Sequence, residues 1–205
     1  PTLMRKSGVT NYMNFAKAAV NASQGKSISL EVFSDDFDIM IYQAKVLSRL
    51  GNSVYVKIPV TNSLGHSTSE VIKKLLKEGI RVNITAILSE SQIESCINLF
   101  EKRDCGYISI FAGRIADTGK DPSHFIKYAN EKLQAKGLKN LEIIWASTRE
   151  IFNLYQAINC DCSIITIPPE IMKKVKLFDY DLEKLSLETV KMFKSDSDQA
   201  KYFIE

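Results

Sequence analysis

Apolar and polar positions alternate between two rhythms along this chain, and the switches between them mark its elements. Tyr12, Phe15, Ala16, Ala19 and Val20 recur at helical spacing and stop at Ser23-Gln24-Gly25. Ile28 to Phe33 is a short apolar run of strand type. Asp35-Asp36 then opens a helix, since acidic residues suit the first turn, and it continues from Ile39 to Leu50. After Gly51-Asn52 comes Val54 to Val60, a β-branched run. The same alternation gives a helix over Thr68 to Lys77, a strand over Ile80 to Leu88, a helix over Gln92 to Lys102 and a strand over Gly106 to Phe111. A polar loop from Ala116 to Pro122 leads into a helix through Ala135, and Leu141 to Ala146 is the fifth strand. Arg149 to Ile158 is predicted helical, Ser163 to Ile167 is the sixth strand, and Asp181 to Phe193 is a last helix.

Six strands alternating with helices describe an α/β protein with a parallel sheet. No linker or composition shift divides the 205 residues, so a single domain over 1–205 is expected. Two arrangements compete, an open doubly wound sheet and a closed (β/α)8 TIM barrel. Nucleotide-binding open sheets carry a glycine-rich turn after a strand. The nine glycines here include no G-x-G-x-x-G and no P-loop, and most sit where helices end. The balance favours the barrel, although its strand count is two short.

Composition narrows the function. The chain is 45% hydrophobic and 25% charged with a net charge of +3, which is too little to argue for nucleic acid or an anionic membrane. No apolar run approaches the roughly 20 residues of a membrane span. Cys96, Cys105, Cys160 and Cys162, with His66 and His124, lack zinc-site spacing, so no metal is expected and the thiols read as reduced, in a cytoplasmic protein.

The chemistry gathers at the strand ends, where a barrel keeps its active site. Lys57 stands inside Val54-Tyr55-Val56-Lys57-Ile58-Pro59, and a lysine in an apolar strand needs either a route to water or a task. An apolar setting disfavours the ammonium, and the free amine attacks carbonyls to form imines. Glu31 is the matching acid in an apolar segment; an ion pair between the two is the plain alternative. Asn83 and Thr85 lie two apart, on one face of their strand. In the catalytic reading, Lys57 attacks a ketone and Glu31 moves protons, directly or through a water at Thr85. Asn83 bonds a substrate hydroxyl, and Arg114 and Arg149, with Ser109 or Ser147, clamp a phosphate. For each residue taken alone, a structural role explains it equally well; their shared end of one sheet is what favours chemistry.

Taken together in this order, Pro1-Thr2-Leu3, Ser29-Leu30-Glu31-Val32, Val56-Lys57-Ile58-Pro59, Gly79-Ile80-Arg81-Val82-Asn83-Ile84-Thr85, Ile108-Ser109-Ile110-Phe111-Ala112-Gly113-Arg114-Ile115 and Ala146-Ser147-Thr148-Arg149 resemble the transaldolases, class I aldolases on a (β/α)8 barrel. The resemblance implies that Lys57 is the Schiff-base lysine and that Glu31, with Thr85 and a water, moves protons. It implies that Asn83, Ser109, Phe111, Arg114, Ser147 and Arg149 bind substrate. The implied reaction moves a dihydroxyacetone unit from a ketose phosphate, such as sedoheptulose 7-phosphate or fructose 6-phosphate, to an aldose phosphate in the pentose phosphate pathway, without cofactor. A sister group, the fructose-6-phosphate aldolases, typically has Gln at the position of Glu31 and Tyr at that of Phe111, which favours transfer. Family members begin with an Asp-bearing strand and a second strand ending Thr-Asn-Pro. Pro1-Thr2-Leu3 resembles the tail of the latter, so the first two barrel strands are expected to be missing here. An aldolase of the sister type, an inactive remnant and a flavodoxin-like binding module are the rival readings. Leu182, Leu185, Val190 and Phe193 suit packing on the chain's own barrel or on a neighbour, and a homo-oligomer is expected.

Overall fold

The computed structural model describes residues 4, 5 and 7–204; the Pro1-Thr2-Leu3 motif lies outside them. The chain divides into two compact units, one ending at Ile167 and one beginning at Pro168.

The first unit holds helix α1 (Tyr12–Ala22), strand β1 (Ile28–Glu31), α2 (Phe37–Ser48), β2 (Val54–Pro59), α3 (Ser69–Lys77), β3 (Val82–Ile87), α4 (Glu90–Ile97) and β4 (Gly106–Ile110). It continues with α5 (Ala112–Ala116), α6 (Ser123–Lys136), β5 (Leu141–Trp145), α7 (Asn153–Asn159) and β6 (Ile164–Ile165). All six strands are parallel and neighbour one another in sequence order, β1 to β6. A doubly wound sheet reverses its order at a switch point. An unbroken order instead repeats one handed crossover, which keeps the helices on one face.

Alternation along the strands sorts side chains onto two faces. Leu30, Val54, Val56, Ile58, Val82, Ile84, Ile108, Ile110, Ile143 and Trp145 join the helices in the main core. On the opposite face a smaller cluster gathers Tyr107, Ile144 and Ala146, with Tyr55, Phe111 and Ile164 against it. That second face is concave. Tyr55 of β2 and Tyr107 of β4 stack with ring centroids 4.1 Å apart, although β3 lies between their strands. In a flat sheet those strands would stand about 9.5 Å apart, with side chains upright. The sheet is thus a curled half-barrel of six parallel strands. Among the described residues β1 and β6 each pair on one side only. The flank of β1 is partly covered by α1: the Tyr12 hydroxyl accepts from the Glu31 backbone N–H at 2.9 Å and donates to the Glu31 carbonyl at 3.2 Å.

Several boundaries differ from expectation, each for a local reason. Helix α3 ends in a paired bond, with Gly79 N–H to Leu76 O and Ile80 N–H to Leu75 O, so β3 starts at Val82 and not at Ile80. Helix α4 opens on a Ser89/Gln92 capping box and stops at Ile97, well short of Lys102. The chain then turns so that Phe100 is buried against Gly106. Helix α7 begins at Asn153 because the Asn153 Oδ1 takes the N–H groups of Arg149 and Glu150 and holds them in a turn. β6 is reduced to two residues.

In the second unit, α8 (Pro169–Met172) and a 3-10 turn (Lys173–Leu177) precede α9 (Leu182–Ala200), capped by Asp181 accepting from the Lys184 N–H. Helix α9 runs past Phe193, extended by the Lys194–Asp198 pair one turn apart. Leu182, Leu187, Val190, Met192 and Phe193 on it are exposed.

The stacked tyrosines make a prediction. Burial first, and then Tyr107 beside it, push the Tyr55 hydroxyl up to about 12 from 10.0. The folded state thus favours the neutral phenol, and this contribution to stability is complete below pH 10 and lost as pH climbs towards about 12. Tyr55→Phe cannot ionise, so its denaturation midpoint should fall less steeply over that alkaline range than the parent's. Superimposable pH profiles would show that Tyr55 does not couple to folding.

Candidate active site

The concave face carries a row of polar side chains. Glu31, the last residue of β1, pairs in register with Lys57 on β2, which pairs with Asn83 on β3, which pairs with Tyr107 on β4. Lys57 shares the facing of Tyr55, opposite to Val56 and Ile58, and is half-buried. Thr85 and Ser109 stand one step further towards the strand ends on the same face, and Asn83, Thr85 and Ser109 are all buried.

These groups do not neutralise one another. No ion pair joins Glu31 to Lys57 among the described residues, so the plain alternative of a structural pair is not what the fold makes. Asn83 is instead fixed sideways. Its Nδ2 donates to the Ser29 Oγ at 2.8 Å, and its Oδ1 accepts from the Ser109 Oγ at 2.7 Å. This chain runs from β1 to β4 across β2 and β3, and it fixes which end of the amide faces which strand. The Thr85 Oγ1 is buried with no hydrogen-bond partner. A buried, unmet hydroxyl costs about 1–3 kcal/mol, a cost a site can carry when a ligand group or water is to meet it.

Glu31 is half-buried and also borders a hollow of about 340 Å³ with Tyr12, Met13, Phe33, Tyr42, Gln43, Val46 and Leu47. This hollow lies on the open flank of β1, and none of its lining comes from β2 to β5. Glu31 therefore borders this hollow as well as belonging to the row that contains Lys57.

The second group of candidates sits on two loops that meet. After β4 the chain enters α5 at once, where run-out of the strand was expected. Gly113 in that helix packs against the Ser147 carbonyl in the loop after β5, and a Cβ on Gly113 would fall inside that carbonyl's van der Waals shell. Ser147 itself has φ +62, a left-handed conformation that a serine adopts only under tertiary constraint. Thr148, buried, donates to the Thr166 carbonyl at 2.6 Å and ties the loop to the end of β6. Phe111 is half-buried, with the Arg114 guanidinium 5.6 Å from its ring centroid. Arg149 pairs with Asp117, from Nη2 at 2.5 Å and from Nε at 3.1 Å. The hydrogen bonds it donates, and secondarily its charge, hold the Asp117 carboxyl below the ordinary range.

Sequence reasoning missed Ser29, Asp117 and Asn153. Ser29 sat inside a quoted motif and two residues from Glu31, a period-2 signal that would have found it. Asp117 and Asn153 lie in stretches read as loop and helix. Among the described residues no cluster of three or more His, Cys, Asp or Glu could hold a metal ion, and no helix is long and apolar enough to cross a membrane.

The sequence model for transaldolase/fructose-6-phosphate aldolase matches residues 6–204. A probable transaldolase of Nitrosopumilus maritimus is 32% identical over 161 residues, covering 78% of this chain and 68% of that protein. A probable transaldolase of Methanococcus vannielii is 30% identical over 188 residues, covering 92% and 81%. Probable transaldolase 2 of Listeria monocytogenes is 33% identical over 175 residues, covering 85% and 75%.

The meeting of the two loops is testable. Gly113→Ala should force Ser147 away and destabilise the fold by about 1–3 kcal/mol, the scale of overpacking. Chemical denaturation reads this directly, and an unchanged midpoint would contradict the contact.

Proposed function

The chain belongs to the transaldolase/fructose-6-phosphate aldolase family, and on that premise we propose that it is a transaldolase working through an imine at Lys57. The observation that carries the reading is the row Glu31, Lys57, Asn83 in register on the concave face, with the unpartnered Thr85 hydroxyl one step above it. The sheet is taken as the greater part of a (β/α)8 barrel, with the site at the carboxyl ends of its strands.

In this mechanism the neutral Lys57 amine adds to the keto carbon of a ketose phosphate. Glu31, through a water at the Thr85 hydroxyl, supplies the proton with which the carbinolamine oxygen departs as water. The protonated imine takes up the electron pair of the bond between the third and fourth carbons as the C4 hydroxyl gives its proton to a base. That bond breaks, an aldose leaves, and a three-carbon enamine stays on Lys57. The enamine attacks an acceptor aldose phosphate, and hydrolysis of the new imine frees the product. Asn83, its amide turned by Ser29 and Ser109, donates to or accepts from a substrate hydroxyl with a defined end. Phe111 borders the sugar chain, and Arg114, Ser147 and Arg149 receive the phosphate. The chemistry calls on no metal or organic cofactor.

Transfer is preferred to free aldol cleavage because Glu31 and Phe111 depart from the Gln and Tyr of the sister aldolases. A cytoplasmic sugar-phosphate enzyme of the pentose phosphate pathway fits this reading. The exposed apolar positions of α9 support a homo-oligomer.

Borohydride reduction in the presence of fructose 6-phosphate should leave a reduced sugar adduct on Lys57, located by peptide mass. Lys57→Arg should keep the fold and lose at least about a thousandfold in turnover, since a guanidinium stays protonated and cannot form the imine. An adduct elsewhere, or an active Lys57→Arg, would sink the proposal. Glu31→Gln should slow transfer about 10²- to 10⁴-fold, the range of a lost proton-transfer group, and release free dihydroxyacetone when no acceptor is present. Unchanged kinetics would remove Glu31 from the mechanism.

A further inference from the structure

Arg149 has a long side chain and stands on an exposed loop, yet the structure holds it at both ends. Its backbone N–H donates to the Asn153 Oδ1 at 2.9 Å. Its Nε lies 3.1 Å from each carboxylate oxygen of Asp117, and Nη2 lies 2.5 Å from Oδ2. Asp117 is the residue that ends α5, with its N–H bonded to the Gly113 carbonyl at 3.0 Å. Gly113 is the residue packed against Ser147. The carboxylate is thus fixed by the same contact that brings the two loops together.

A guanidinium has five N–H groups, arranged as a side edge (Nε and one Nη) and an end edge (both Nη atoms). Asp117 occupies the side edge. Nη1, which with the second N–H of Nη2 forms the end edge that matches two phosphate oxygens, makes no hydrogen bond among the described residues. Arg114 stands on α5 three residues before Asp117, and its charge also favours the ionised carboxylate. The group of two arginines and one aspartate therefore keeps a net positive charge.

We propose that Asp117 is a positioning residue of the phosphate subsite, setting the plane of the Arg149 guanidinium so that its end edge is presented to the substrate's phosphate. The inference rests on the transaldolase reading for the identity of the sugar phosphate, while the geometry of the anion subsite stands on the loops alone. Without the carboxylate the Arg149 side chain regains its rotamers, and each binding event must order it again.

The test is calorimetric titration of the full chain with inorganic phosphate and with fructose 6-phosphate at fixed ionic strength, for the parent, Asp117→Ala and Asp117→Glu. Asp117→Ala should weaken both ligands about tenfold, the scale of one lost charge-assisted geometry. Asp117→Glu, which keeps the charge and can still reach the side edge, should recover most of that loss. Borohydride trapping of Lys57 with unphosphorylated dihydroxyacetone should be unchanged in Asp117→Ala, which a general structural defect would not allow. Equal or tighter binding by Asp117→Ala would overturn the proposal and mark the carboxylate as a competitor of the phosphate. Parallel loss of trapping would overturn it in favour of a structural role, and a parent that binds neither ligand would remove the subsite altogether. Phosphate binding that follows the expected order without any adduct on Lys57 would instead keep Asp117 in its role and defeat the transaldolase reading.

Discussion

A curled parallel sheet has to put something on its concave face, and in this chain apolar and polar side chains share it level by level. Tyr55, Tyr107 and Ile144 are its apolar members, Tyr107 level with Asn83 and Ile144 level with Ser109. Glu31, Lys57, Asn83, Thr85 and Ser109 supply its polar groups. Parallel register is the constraint that produces this. Because each strand pairs with the next at a fixed offset, residues of one parity on four strands become a single row, and a shift of one residue would turn the row into the helix-packed core. The lysine sits beside an acid and an amide through backbone pairing, and needs no side-chain bond to keep it there.

That arrangement leaves Lys57 and Thr85 unpaired among the described residues while their surroundings are tied. Asn83 is held by two serines, Arg149 by Asp117 and Asn153, and the loops after β4 and β5 by the close approach of Gly113 to Ser147. The Lys57 amine and the Thr85 hydroxyl have no such ties. Fixed supports around unpaired groups are the pattern of a preorganised site, in which orientation is settled before substrate arrives. The backbone strain at Ser147, φ +62, belongs to the same design: a serine is held left-handed because the packing of Gly113 determines where its carbonyl must lie.

The family assignment and the geometry support each other at different levels. The match over residues 6–204 establishes the family. Relatives near 30% identity carry the name of probable transaldolase and no more. The roles proposed for individual side chains rest on the chemistry of the groups at the concave face.

Much of this was legible in the chain itself. The alternation of strand and helix, the placement of Lys57 in an apolar strand, and the common facing of Asn83 and Thr85 follow from periods of 2 and 3.6, which are properties of the local backbone. Helix starts at Asp36 and Asp181 were legible for the same reason, since a cap is a bond within four residues. Contacts between distant segments were not legible. The early end of α4 depends on Phe100 packing beneath Gly106, and the late start of α7 on Asn153 taking two backbone N–H groups, both without periodic trace. The turn of Asn83 towards Ser29, the absence of a bond between Lys57 and Glu31, and the pairing of Arg149 with Asp117 were decided only when β1 to β5 came together. A sequence pattern states which face a residue takes, whereas its partners depend on curvature and loop packing, and these are set by the whole sheet at once.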